Sequence, residues 1–136
     1  MTKMRLLSEY EIVSMSPGVI KAKVSGENLI IRIFLVPLHV FENEGKFSVQ
    51  VTAVTTADTD KPKFGEVCLP QKTMSHNGVP PESVEVIVKP RLEIRVGDKV
   101  IEGTLEVTNV TVFPDLRDPN GSPCVMVSWV LFQTVR

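Results

Sequence analysis

The stretch VEVIVKPRLEIRVGDKVIEGTLEVTNVTV, running from Val84 to Val112, decides the fold. Val84, Val86, Val88, Leu92, Ile94 and Val96 share one parity, while Glu85, Lys89, Arg91, Glu93 and Arg95 share the other. Alternation of this kind sets one face on a core and the other in water. Gly97 and Asp98 then fit a two-residue hairpin turn, with glycine taking the positive φ of the first central position. The return strand tests that register. It puts Ile94 opposite Ile101, Leu92 opposite Gly103 and Val88 opposite Val107. On the other face Lys89 meets Glu106 and Arg91 meets Thr104. Apolar faces apolar and polar faces polar, as a hairpin requires. Glu93 against Glu102 is the unfavourable pair, with Arg91 and Arg95 diagonally near. After Asn109 the apolar parity flips to Val110 and Val112, which predicts a β-bulge.

The rest of the chain repeats this vocabulary less sharply. Strands are expected over Tyr10 to Met15 and Val19 to Val24, split by the turn signal at Ser16, Pro17 and Gly18. A long apolar run from Leu29 to Phe41 follows, then an alternating strand from Phe47 to Ala53. Cys124 to Val135 is apolar on both parities, the mark of a central or interfacial strand. Valine, isoleucine and threonine dominate these runs, and β-branched side chains pack well on a pleated surface. Ten prolines and eight glycines recur at short intervals and limit helix length. The expectation is one all-β domain over residues 1–136. It is a small antiparallel barrel or sandwich of about seven or eight strands. The length of the strands and the bulge favour the barrel. No internal repeat with a period of roughly 20–50 residues is apparent.

Composition narrows the function classes. A chain of 136 residues fits one domain, and 43% hydrophobic with 23% charged residues describes an ordinary globular protein. Fifteen basic and 16 acidic residues give a net charge of −1, with the signs mixed along the chain. The clustered basic footprint of a polyanion binder is missing. No apolar run reaches the ~18 residues of a membrane-spanning helix. The N-terminus lacks the apolar stretch of a secretion signal. The expected setting is the cytoplasm, away from membranes. Two cysteines are too few for a disulfide framework.

Two segments break the β pattern, residues 57–83 and 114–123. Long irregular connections often carry binding. The first holds Asp58, Asp60, Cys68 and His76, the ingredients of an activated thiol if the fold brings them together. Yet no nucleophile motif surrounds Cys68. Between Val67 and Leu69 it reads more simply as a small buried hydrophobe. Two cysteines and two histidines without metal-ligand spacing make a poor zinc set. Asp115, Asp118, Asn120 and Gly121 echo a calcium loop but lack its alternating ligands and closing glutamate. No metal or cofactor is expected, and phosphate loops, dinucleotide fingerprints and serine-nucleophile elbows are absent.

Three functions remain in view. The leading one is a non-catalytic β-domain that works through protein–protein contacts, above all with copies of itself. The runs Leu29 to Phe41 and Cys124 to Val135 carry more apolar side chains than a one-sided sheet needs, and surplus outward apolar surface marks interfaces. Phe34, His39, Phe41, Trp129 and Phe132 are its candidate contact residues; Pro37 beside His39 suggests an edge or a bulge. The first alternative is a single-stranded nucleic-acid-binding barrel using Lys89, Arg91 and Arg95, although Glu85 and Glu93 alternate with them and would repel phosphate. The second is a small enzyme built on the Cys68/His76 loop with Asp58 and Asp60.

Overall fold

The computed structural model describes residues 4–7 and 9–136. The N-terminal reading therefore falls partly on residues 1–3 and 8, outside the described residues. Along the chain come β1 (Met4–Leu7), β2 (Glu11–Ser16), β3 (Gly18–Val24), β4 (Glu27–Asn43), β5 (Lys46–Thr59) and β6 (Glu66–Val67). The short helix α1 (Pro70–Ser75) follows, then β7 (Ser83–Val88), β8 (Arg91–Val96), β9 (Lys99–Arg117) and β10 (Pro123–Val135). The fold is all-β, as expected. Its strands form two five-stranded sheets. In the first, β1 and β3 lie along one side of β4, β5 lies along the other, and β7 extends β3. In the second, the order is β10-β9-β8-β2, with β6 beside β9. Among the described residues, all strand pairings are antiparallel except β6 with β9. The sheets do not close into a barrel. Among the described residues no helix is long and apolar enough to cross a membrane.

The two sheets are built on one plan. Ala22 pairs with Leu29, and 72 residues on Ile94 pairs with Ile101. Leu7 pairs with Val40 in the first half and Val79 with Val112 in the second, again 72 residues on. Ile12 of β2 pairs with Ile94, while Val84 of β7 pairs with Ala22. Each half thus lends its early strand to the other half's sheet. The last hairpins agree as well. Leu35 pairs with Ala53 and Val107 with Trp129; Val40 pairs with Val49 and Val112 with Val125. There the offset is 72 for the first strand and 76 for the second, because the connection from Phe113 to its partner Cys124 is four residues longer than that from Phe41 to its partner Ser48. The repeat period exceeds the window in which the sequence shows nothing, and few residues coincide beyond apolar character.

Local chemistry explains the crossing point. A β-carbon on Gly18 would sit 2.5 Å from Cδ of Pro90, which holds the equivalent place in the second half. Glycine is needed there for close approach, and Pro90 ends the ladder because it has no N–H. This corrects the reading of residues 84–96 as one strand. Val88 pairs with Val19 in the first sheet rather than with Val107. The chain then passes to the second sheet, where Ile94–Ile101, Leu92–Gly103, Arg91–Thr104 and Glu93–Glu102 pair in the expected register. The bulge near Asn109 also forms, with Thr108 skipped between Val107 and Asn109.

The core lies between the sheets. Ile20, Leu29, Ile31, Ile33 and Leu35 of one sheet meet Leu92, Ile94, Ile101, Leu105 and Val112 of the other, all nearly inaccessible. At the seam where the edges β5 and β10 approach, the Gln133 amide acts as a stand-in strand. It accepts from Val49 N–H at 2.9 Å and donates to Val49 C=O at 3.0 Å.

Candidate interaction surface

A sheet in which strands alternate must present a second, outer face. The outward positions of β4 are Ile30, Arg32, Phe34 and Val36, each half-buried. Beside them stand Val19 on β3 and Val54 on β5; Phe34 lies directly across from Val54, which is 49% exposed. The equivalent positions of β9 are Glu102, Thr104, Glu106 and Thr108, and Arg91 replaces Val19. In this second sheet the outer side chains form a lattice of ion pairs. Lys89 meets Glu106, Arg91 meets Glu102, and Arg136 meets Glu93. Arg95 lies 3.8 Å from Glu11. The backbone geometry is the same in both, so the fold itself does not demand apolar side chains on an outer face. Both outer faces nonetheless carry some: Ile30, Phe34, Val36 and Val54 with Arg32 among them on the first, and Met126, Val130 and Phe132 along β10 on the second, and it is contiguous apolar surface that marks contact sites.

The predicted contact residues divide. Phe34, His39 and Phe41 all project from the outer side of β4, and the rings of His39 and Phe41 lie 6.0 Å apart. Leu38, skipped by the β5 ladder, is exposed beside them. Phe132 points outward from β10 and is 56% exposed. Trp129 points the other way and packs on the core cluster, so its side chain serves the domain's own interior. β10 is apolar on both parities, and composition alone does not say which parity faces in.

The basic residues of the nucleic-acid alternative are those of the ion-pair lattice. Lys89, Arg91 and Arg95 each have a carboxylate partner. Such a face presents little uncompensated positive charge to a phosphate backbone.

The thiol constellation does not assemble. Cys68 is bonded to Cys124, which corrects both the view of Cys68 as a lone hydrophobe and its candidacy as a nucleophile. Asp58 pairs with Arg32 at 2.5 Å. Asp60 accepts from the Asn28 backbone N–H at 2.8 Å and from its side chain at 2.9 Å, and these bonds lower its pKa. His76 closes α1, its Nδ1 lying 2.8 Å from the Lys72 carbonyl and its Nε2 3.4 Å from Glu66. Among the described residues no group of histidine, cysteine and carboxylates could hold a metal ion.

Sequence reading missed the most buried charges. Glu27, the first residue of β4, and Arg117, at the end of β9, form a two-pronged pair: Nη2 to Oε1 at 2.6 Å and Nη1 to Oε2 at 2.9 Å. Thr59 donates to the same carboxylate at 2.7 Å, and Lys63 stands 3.4 Å away. The Arg117 hydrogen bonds hold the Glu27 pKa down to about 2, against the opposing effect of burial. Arg117 also donates to the carbonyls of Pro114 and Gly121. Its guanidinium is therefore engaged on all sides and offers little to a ligand. Above it lies a cleft of about 440 Å³ walled by Pro62, Lys63, Phe64, Val67, Pro119 and Gly121, with the Phe64 ring fully in solvent. Both walls belong to the parts outside the repeat, residues 60–75 and the lengthened β9–β10 turn.

Compared with known proteins, the chain matches no protein family, no curated protein and no solved structure.

Proposed function

We propose that this chain is a non-catalytic β-sandwich that acts by binding protein, in the first place by associating with itself. One observation carries the reading: Phe34 on the outer face of the first sheet has Glu106 as its equivalent on the second. The internal repeat supplies its own control, since the same backbone position is compatible with a carboxylate. An aromatic ring held on the open face then calls for a covering partner. Sedimentation velocity from roughly 1 to 100 µM should show a species of twice the chain mass that grows with concentration. A single species of chain mass over that whole range contradicts the reading.

The setting follows the sulfur chemistry. Disulfides persist in oxidising compartments and are rare in the reducing cytosol. The Cys68–Cys124 bond therefore speaks for an oxidising compartment and against the cytoplasmic expectation.

A further inference from the structure

We infer that the Cys68–Cys124 disulfide is a thiol–disulfide exchange site. It is a latch that a dithiol opens in the folded protein, releasing residues 62–77 from the end of the sandwich and dismantling the cleft they wall. The inference stands apart from self-association, and nothing in its test depends on the oligomeric state.

The segment has little else to hold it. No residue from Lys61 to Pro80 is buried. Met74 is 88% exposed, the Phe64 ring is fully in solvent, and α1 buries none of its residues. Apolar burial is what fixes a segment, so one without it opens locally at small cost. Its two ends are pinned independently of the sulfurs. At one end Asp60 holds Asn28, and Lys61 Nζ donates to the Gly26 carbonyl at 2.8 Å. At the other Gly78 lies against Thr111 and Phe113, and Val79 exchanges two backbone hydrogen bonds with Val112, at 2.8 and 2.9 Å. Between these ends, Glu66 and Val67 pair with Leu116 and Arg117. The Lys63 N–H donates to the Gly121 carbonyl and the Cys68 N–H to the Arg117 carbonyl, both at 3.1 Å, and Lys63 Nζ stands 3.4 Å from Glu27. The disulfide adds a covalent tie that divides the span into two short loops. Breaking it restores the chain entropy of one longer loop.

The sulfurs can be reached and parted without touching the core. Cys68 is half-buried and Cys124 is 8% exposed, and both line an open cleft of about 250 Å³ with Thr55, Thr56, Asp58 and Asp118. Its carboxylates are already engaged, Asp58 with Arg32 and Asp118 with the N–H groups of Asn120 and Ser122. The two cysteines pack with Phe113 and Leu116 in a small cluster separate from the core between the sheets.

In the exchange, one thiolate of a dithiol attacks Cys68 Sγ. A mixed disulfide forms as the Cys68–Cys124 bond breaks, and Cys124 leaves as a thiolate. The second thiolate of the reductant then displaces Cys68 and closes the reductant's own disulfide. Two electrons pass to the protein, and the two protons given up by the dithiol end on Cys68 and Cys124. Pro62, Lys63, Phe64 and Val67 are then free to leave Pro119 and Gly121, the opposite wall of the larger cleft of about 440 Å³. That cleft therefore belongs to the oxidised protein alone.

The test follows amide exchange residue by residue in the full chain, oxidised and then treated with a millimolar uncharged dithiol. The Lys63 amide reports the cleft, since its hydrogen bond to Gly121 spans the two walls. Reduction should raise exchange at Lys63 and Cys68 roughly 10-fold or more. Ile31, Ile94 and Leu105 should stay protected, the near-ultraviolet signal of Trp129 should stay unchanged, and reoxidation should reverse the effect. The reduction rate should rise in proportion to dithiol concentration, as attack on the folded protein requires. Three results overturn the latch. Protection lost at Ile31 and Ile94 together with Lys63 makes the bond a staple of the whole domain. Protection kept at Lys63 and Cys68 after reduction means that other contacts hold the segment. A reduction rate that levels off at the rate of global unfolding means that the sulfurs are reached only in the unfolded chain.

Discussion

Glu27 and Lys99 open the long strands of the two halves at equivalent places, and Gly45 and Arg117 hold equivalent places at their far ends. Where the turn of the first half meets the second half's strand end, Glu27 and Arg117 are buried in a paired contact. Where the roles are reversed, Lys99 and Gly45 are both exposed, and nothing lies within 4 Å of a β-carbon on Gly45. The repeat therefore does not require a buried ion pair. The pair comes with the extra segment, residues 60–75, whose Lys63 approaches Glu27 and whose Cys68 is bonded to Cys124. Opposite ends of one symmetric plan have been finished differently, one left as bare turns and the other capped, crosslinked and charged. The outer faces diverge along their central strands, where Ile30, Phe34 and Val36 of β4 stand against Glu102, Glu106 and Thr108 of β9.

Breaking the capped end gives the largest expected effect. Arg117→Met leaves Glu27 buried without its partner and should cost about 3–5 kcal/mol in denaturant unfolding. Lys99→Met at the equivalent exposed end should change stability by less than about 0.5 kcal/mol. Similar losses at both ends would erase the distinction.

Acid sharpens the same contrast. The Glu27 pKa falls from 4.5 to about 2 on folding. A lowered carboxylate pKa contributes stability above the unfolded value, and that contribution is lost as pH falls from about 4.5 toward 2. Its size is roughly 3 kcal/mol. Glu27→Gln should remove this part of the acid dependence, so the wild-type and variant unfolding curves should converge at low pH. Curves that stay parallel between pH 5 and 2, values spanning the usual carboxylate range and the lowered one, would contradict it.

The seam between β5 and β10 offers a smaller effect. Gln133 supplies two hydrogen bonds to Val49, whereas its equivalent in the first half is Ala57, which supplies no amide. Gln133→Ala should cost about 1–2 kcal/mol and speed amide exchange at Val49. An unchanged exchange rate there would show that Gln133 does not hold the seam.

Much of this architecture is written in the chain locally. The hairpin from Arg91 to Thr104 was legible because alternation, turn chemistry and cross-strand pairing agree over adjacent residues. The bulge beside Asn109 was legible for the same reason. The break at Pro90 was harder, because apolar parity runs through it unbroken while the partner strand changes sheet. The repeat was hidden because its two copies share only apolar character at matched positions, such as Ala22 with Ile94 and Ile31 with Gly103. Outward positions diverge further, as Phe34 and Glu106 do, although their cross-strand neighbours Val54 and Val130 match. Phe34, His39, Phe41 and Phe132 could be named from surplus hydrophobicity along β4 and β10. Trp129 could not be sorted from them, since facing in or out depends on which parity the sheet packing selects. The Glu27–Arg117 pair and the Cys68–Cys124 bond join residues 90 and 56 positions apart, and no local pattern announces either.

The central claim is that Phe34 serves a partner rather than the fold. The most direct measurement is the unfolding free energy of Phe34→Glu against wild type, taken at a concentration low enough that both are monomers. The account predicts a difference within about 1 kcal/mol, because a carboxylate already occupies the equivalent place in the second sheet. A loss of about 3 kcal/mol or more, the cost of removing a core aromatic, would mean that the ring belongs to the domain's own packing and would contradict the claim.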